Sequence, residues 1–151
     1  MLVIRPATED EVGLLTDLAL RSKGHWGYDA DFLEACRAEL TIEPDRLETE
    51  SVWVATQDDA IVGFSALLID DGGAELTGLF VDPVHIGAGV GRALWDHTIE
   101  ASRARGVVRL RIEADPHAEE WYLGRGASRV GEAPSGSIPG RMLPLLEYRV
   151  A

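Results

Sequence analysis

Three glycines at alternate positions, Gly87, Gly89 and Gly91, lie where an apolar, strand-like segment (74–81) gives way to a helical one (91–105). Glycine adopts backbone conformations that turn N–H groups outward, and the first turn of a helix adds unpaired amides and the positive end of the helix dipole. Such a turn can hold an anion, a pyrophosphate above all. Spacing narrows the choice. A phosphate-cradling nucleotide loop ends in Gly-Lys-Ser or Gly-Lys-Thr, whereas Arg92-Ala93 follow the last glycine here. A dinucleotide fingerprint needs glycine or alanine three residues past the second glycine, and Arg92 stands there. Taken alone, the glycines would equally serve a tight strand-to-helix connection.

Other reactive side chains are dispersed. Gly136-Ser137-Ile138-Pro139-Gly140 fails the nucleophile-elbow pattern and is followed by no helix. His25, His85, His97 and His117 share no metal-ligand spacing with a carboxylate, so no metal site is expected. The single cysteine, Cys36, excludes an internal disulfide and falls among Phe32, Leu33 and Leu40 at helical spacing, as a buried apolar residue would. Two carboxylates stand apart. Glu75 opens the strand that feeds the glycine turn, on the alternating face of Thr77 and Leu79, and Glu113 lies inside a later strand between Ile112 and Ala114. Asp82 and Asp115 each precede a proline, where a carboxylate caps a turn.

The elements that would position these groups follow from periodicity. Residues 2–5 read as a strand, and Thr8 with Glu11 forms a capping box for a helix carrying Val12, Leu15, Leu18 and Ala19. A second helix is expected from Asp31 to about Leu40. Residues 51–56 and 61–69 read as antiparallel strands around Gln57-Asp58-Asp59-Ala60, and Asp71-Gly72-Gly73 turns the chain into the strand 74–81. The glycine turn and helix 91–105 lead to a strand at 107–114, a short helix at 117–125 and closing strands at 127–132 and 143–150. That order predicts one α/β domain spanning 1–151, a mixed, mostly antiparallel sheet of about seven strands with about four helices on its two faces.

Fourteen basic against twenty-six acidic side chains leave a net charge of −12, which disfavours nucleic acid and anionic membranes as partners and favours cationic ones such as amines. Arg103, Arg105, Arg109 and Arg111 are the one basic cluster, and their places at a helix end and along a strand predict a solvated or ion-paired face. No signal peptide or membrane span is visible, so a cytoplasmic protein is expected.

The ordered combination over 76–127 resembles the GCN5-related N-acetyltransferase (GNAT) family. Ile86, Gly89 and Gly91 occupy the three defining positions of its acyl-CoA loop, Leu79-Phe80-Val81-Asp82-Pro83 looks like the strand before that loop, and Trp121-Tyr122 with Gly124 and Gly126 looks like its aromatic-Tyr helix end. Ile86 replaces the usual polar or cationic opening residue, Ala88 stands where Arg is frequent, and His117 where Asn is frequent. SKGHWGY (22–28) and PSGSIPGR (134–141) are similar to segments of bacterial members with unassigned substrates.

The resemblance implies an acetyl-CoA-dependent N-acetyltransferase acting on an amine of a small molecule or protein by direct attack in a ternary complex. A non-catalytic acyl-CoA-binding sensor is the competing class. Acetyl-CoA would lie on backbone groups of Leu79, Phe80 and Val81, on the loop Ile86, Gly87, Ala88, Gly89, Val90, Gly91 and Arg92, and on His117, which could instead merely start a helix. Tyr122 would protonate the departing thiolate, a phenol of pKa about 10 being a workable donor. Glu75 is the first candidate base and Glu113 the second. The acceptor would lie among Trp26, Tyr28, Ser137 and Arg141, a set suited to a small molecule carrying both an amine and a carboxylate. The same residues would equally cap the core and stiffen a hairpin. Acceptor identity and oligomeric state, a homodimer included, stay open.

Overall fold

Alternation of buried and exposed side chains produces the sheet. In the computed structural model, which describes residues 1–71 and 73–151, β2 (Ser51–Gln57) and β3 (Ala60–Asp70) form a hairpin that closes at Gln57↔Ala60. Asp58 and Asp59 both have positive φ (52° and 66°), the twist-compatible turn that two-residue hairpins favour. β4 (Gly73–Val81) continues the meander, and Gly72 of the expected turn lies outside the described residues. β1 (Leu2–Pro6) pairs with β2, while β5 (Arg109–Glu113), β6 (Ser128–Pro134) and β7 (Met142–Arg149) complete one seven-stranded sheet in the order β1-β2-β3-β4-β5-β7-β6. Every pairing is antiparallel except β4 with β5. The expected mixed, mostly antiparallel sheet is therefore present.

Helices cover both faces. On one, α1 (Val12–Gly24) places Leu15, Leu18 and Ala19 against Val52, Val54, Phe64 and Ala66, with α2 (Ala30–Leu40) packed beside it. On the other, α4 (Val90–Ala104) buries Val90, Leu94, Trp95, Thr98 and Ile99, and α5 (Glu119–Gly124) adds Tyr122. The Thr98 hydroxyl donates to Ser65 Oγ (2.9 Å) or the Leu94 carbonyl (2.8 Å), so its burial leaves no unmet donor. α4 approaches β3 closely because Gly63 has no side chain: a Cβ there would lie 2.9 Å from both the Phe80 carbonyl oxygen and Val90 Cγ1.

Several boundaries differ from the sequence reading. α1 begins at Val12, with the Thr8–Glu11 box closing a short 3-10 turn before it. α2 begins one residue before Asp31, capped by Asp29, which accepts from the Phe32 N–H. α5 begins at Glu119, so His117 lies in the preceding turn and does not start the helix. A fifth helix, α3 (Arg46–Thr49), has no counterpart in the sequence reading, although Pro44-Asp45 is a helix-start signal. The arginine cluster is paired as expected: Arg103 with Glu100, Arg109 with Glu147, Arg111 with Glu113, and Arg105 with the Ser51 hydroxyl.

Candidate active site

Parallel pairing between β4 and β5 covers two positions, Ala74↔Leu110 and Glu75↔Arg111. Beyond them the strands part, although β4 stays bonded to β3 as far as Val81. The β5-facing edge of 76–81 thus has no ladder partner among the described residues, and its amides and carbonyls must find one elsewhere. The opening is a cleft of about 410 Å³, lined among others by Leu79, Phe80, Val81, Glu113, Trp121 and Tyr122.

A bulge shapes its floor. Ala66 faces Gly78 and Leu67 faces Leu76, so Thr77 is the extra residue on β4 and the alternation slips there. Leu76 and Leu79 consequently both pack on the α4 side, and the expectation that Glu75 shares a face with Leu79 is corrected. The bulged Thr77 donates its hydroxyl to Glu50, which is held in turn by Arg46 of α3.

The glycine turn has the predicted geometry. Gly87 (φ 87°) and Gly89 (φ 86°) adopt the left-handed conformation, with Gly89 at the cap of α4. The Ala88 N–H returns to the His85 carbonyl, but those of Gly87, Gly89, Val90, Gly91 and Arg92 make no hydrogen bond to a described residue. These amides form a cradle at a helix N-terminus, where an anion gains about 0.3–1 kcal/mol from the dipole alone. Ile86 and Arg92 line the same cleft. Among the described residues Arg92 makes one ion pair, to Asp96 at 3.9 Å, and its side chain is largely exposed.

Tyr122 is buried, with its ring against Trp95 and Trp121. Its hydroxyl has no hydrogen-bond partner among the described residues, while its ring lines the cleft. Burial, and then the charge of Asp115, push the phenol's pKa up, so it stays protonated throughout the neutral range. The two carboxylates are placed unequally. Glu113 lines the cleft; Glu75 does not, standing behind it on the last paired rung. Burial and then the neighbouring Glu113 raise the Glu75 pKa.

Of the residues expected on the acceptor side, Tyr28 and Arg141 meet at one group, Asp115. Lys23 Nζ (3.0 Å), Tyr28 Oη (3.0 and 3.1 Å) and the His117 backbone N–H (2.9 Å) all donate to it, His117 Nδ1 lies 3.0 Å away, and Arg141 Nη2 lies 3.7 Å away. Burial alone would raise the Asp115 pKa, but the His117 N–H and the Lys23 ammonium outweigh it and hold the carboxyl below its ordinary value. Arg141 donates to Tyr28 Oη at 2.7 Å and lies over the Phe32 ring. Tyr28 is pushed up to about 12 by burial and the Asp115 charge. Trp26 stacks on His117 at 5.5 Å, and Ser137 donates its hydroxyl to Glu39 of α2. Trp26, Ser137, Arg141 and His117 all line the cleft, whereas Tyr28 stands behind them. Turn capping is therefore only part of what Asp115 does. Among the described residues no cluster of three or more His, Cys, Asp or Glu is placed to hold a metal ion.

The acetyltransferase (GNAT) domain family matches residues 18–134, and the chain belongs to that family. Solved structures share its fold along nearly the whole length. They include the PaiA N-acetyltransferase of Thermoplasma acidophilum in complex with coenzyme A, 17% identical over 99% of both chains with a TM-score of 0.79. A GCN5-related N-acetyltransferase from Rhodopseudomonas palustris is 22% identical, covering 97% of this chain and 94% of its own, with a TM-score of 0.80. A ribosomal-protein alanine N-acetyltransferase from Escherichia coli is 19% identical, covering 100% and 95%, with a TM-score of 0.74.

Proposed function

We propose that the protein transfers an acetyl group from acetyl-CoA to an amine by direct attack within a ternary complex. The observation that carries this reading is the parting of β4 and β5 immediately after Glu75↔Arg111, which joins the unpaired amides of the glycine turn to Tyr122 through one cleft. The diphosphate of the cosubstrate rests on the N–H groups of residues 87–92, with Arg92 adding charge. Its pantetheine amides complete the open edge of β4 at Leu79 to Val81. Coenzyme A in the Thermoplasma relative supports the choice of ligand.

In the transfer, the neutral amine nitrogen attacks the thioester carbonyl carbon. The C–N bond forms, the C–S bond breaks, the thiolate takes a proton from Tyr122 Oη, and the nitrogen loses its extra proton to a base. A raised phenol pKa is compatible with this role, because burial and the Asp115 charge act against a thiolate in the same cleft as well as against the phenolate. Glu113, with Glu75 behind it, draws a cationic amine towards the cleft.

The test is release of thiol from acetyl-CoA across an amine panel, with Tyr122→Phe as control and titration calorimetry with coenzyme A alongside. Saturable binding with amine-dependent release supports the enzyme. Binding without release under every amine points to the sensor instead, and an absence of binding removes both. No helix among the described residues is long and apolar enough to cross a membrane, and assays in plain buffer suit the −12 chain.

A further inference from the structure

The hydrogen bonds around Asp115 determine which ring nitrogen of His117 carries the proton. An ionised carboxylate offers about four lone-pair directions. Three donors meet it, the His117 backbone N–H at Oδ1, Lys23 Nζ at Oδ2 and the Tyr28 hydroxyl within reach of both oxygens, and His117 Nδ1 lies 3.0 Å from Oδ1. The Tyr28 oxygen accepts from Arg141 and lies 3.1 Å from His117 Nδ1 as well as 3.0 and 3.1 Å from the two carboxylate oxygens, so it can accept from Nδ1–H while its own proton goes to Asp115. With the opposite tautomer, an Nδ1 lone pair would face a carboxylate oxygen at 3.0 Å with no proton between them. The network therefore assigns the proton to Nδ1 and leaves the basic lone pair on Nε2. Nε2 has no hydrogen-bond partner among the described residues, and the ring lines the cleft, half-exposed, stacked on Trp26.

The ring shares the cleft with both Trp26 and Tyr122. Trp26 on its face belongs to the acceptor wall, and the Asp115 charge that orients it is felt by Tyr122. Glu75 is outside the cleft lining, and Glu113 lies 3.6 Å from Arg111.

We propose that His117 is the general base of the reaction, taking the acceptor's proton on Nε2, with Asp115 as its positioning residue. The assignment rests on the acetyl-transfer reading. The proton released as the C–N bond forms goes to Nε2, the resulting imidazolium is stabilised by Asp115 across Nδ1–H, and the proton then passes to solvent. Among the described residues, Asp115 and Tyr28 from the α1–α2 loop contact the ring, Lys23 from α1 and Arg141 from the β6–β7 loop meet it through Asp115, and His25 reaches it through Trp26.

The experiment compares wild type, His117→Asn, Asp115→Asn and Glu113→Gln. It records kcat/KM against pH with the best amine of the panel, coenzyme A affinity by calorimetry, and the imidazole tautomer by 15N NMR. His117→Asn should lower kcat about 100-fold, leave coenzyme A affinity within about twofold, and abolish the acid limb that an imidazole base imposes. Asp115→Asn should move that limb to lower pH, since the imidazolium loses its stabilising charge. The wild-type NMR signal should place the proton on Nδ1. If His117→Asn keeps kcat and the limb but weakens coenzyme A binding, His117 only holds the cosubstrate and the proposal is overturned. Loss of the limb in Glu113→Gln alone moves the base to that carboxylate. A proton on Nε2 in the NMR spectrum also overturns the assignment, even if Asp115→Asn fails to fold. Should wild type bind coenzyme A yet release no thiol with any amine, the acetyl-transfer reading fails, and the base assignment falls with it whatever the tautomer.

Discussion

Glu75 of β4 and Arg111 of β5 form the last paired rung before the two strands separate. Their position makes Glu75 the hinge of the cleft rather than part of its wall, and its carboxylate is destabilised there by burial and by Glu113. A folded-state pKa raised above the unfolded one means that the native protein binds the proton more tightly, so this group lowers stability progressively as pH rises through that interval. Glu75→Gln should therefore raise Tm at neutral pH and leave it unchanged at a pH well below the ordinary carboxylate value. Thermal melts at both pH values check this; equal shifts at the two would contradict the electrostatic account.

Gly89 caps α4 with φ 86°, a conformation that costs a residue with a Cβ about 1–2 kcal/mol. Its replacement by valine should lower stability by roughly that amount and weaken coenzyme A binding at least about tenfold, since the strained turn would relax and misdirect the amides. Calorimetry on folded variant protein is decisive, and unchanged affinity would remove the turn from the cosubstrate site.

Tyr122→Phe keeps the ring contacts with Trp95 and Trp121 and removes a hydroxyl that bonds to no described residue. Stability should change by less than about 0.5 kcal/mol, while kcat falls about 100-fold with coenzyme A affinity retained. A large drop in Tm with normal turnover would instead make the tyrosine a packing residue.

At the rim of the sheet, Arg5 pairs with Glu11 at 2.6 Å, and hydrogen bonding to Arg5 lowers the Glu11 pKa to about 2. The stabilisation is present above the ordinary carboxylate pKa and disappears as pH falls towards 2. Because water screens the Arg5 guanidinium, the contribution is small. Denaturation of Arg5→Ala between pH 7 and 2 should show a deficit that vanishes at the acid end; a constant deficit would mean lost packing.

Elements whose signal is local were legible from residue order. The β2–β3 hairpin follows from alternation around Asp58-Asp59, and the left-handed glycine turn from three glycines and an adjacent helix. The bulge at Thr77 was not legible, because a one-residue slip is decided by how β4 meets β3 rather than by β4 itself. α3 was missed although Pro44-Asp45 announces it, because four residues are too few to display periodicity. The role of Asp115 was hidden for another reason. Lys23 and Tyr28 lie 92 and 87 positions away along the chain, and Asp115-Pro116 by itself reads as an ordinary turn. His117 was read as a cosubstrate contact or a helix start; it lines the cleft ahead of α5, and its contact with Asp115 could not be seen in the sequence.

The close approach at Gly63 ties the height of the glycine turn to β3, a strand behind it. Val90, the first residue of α4, rests where a methyl group on position 63 would sit. Even an alanine there would lift the helix start by a few tenths of an ångström and tilt every outward amide with it. Selection for altered cosubstrate affinity should accordingly recover changes at this interior position, which lies directly behind Phe80, Val81 and Val90.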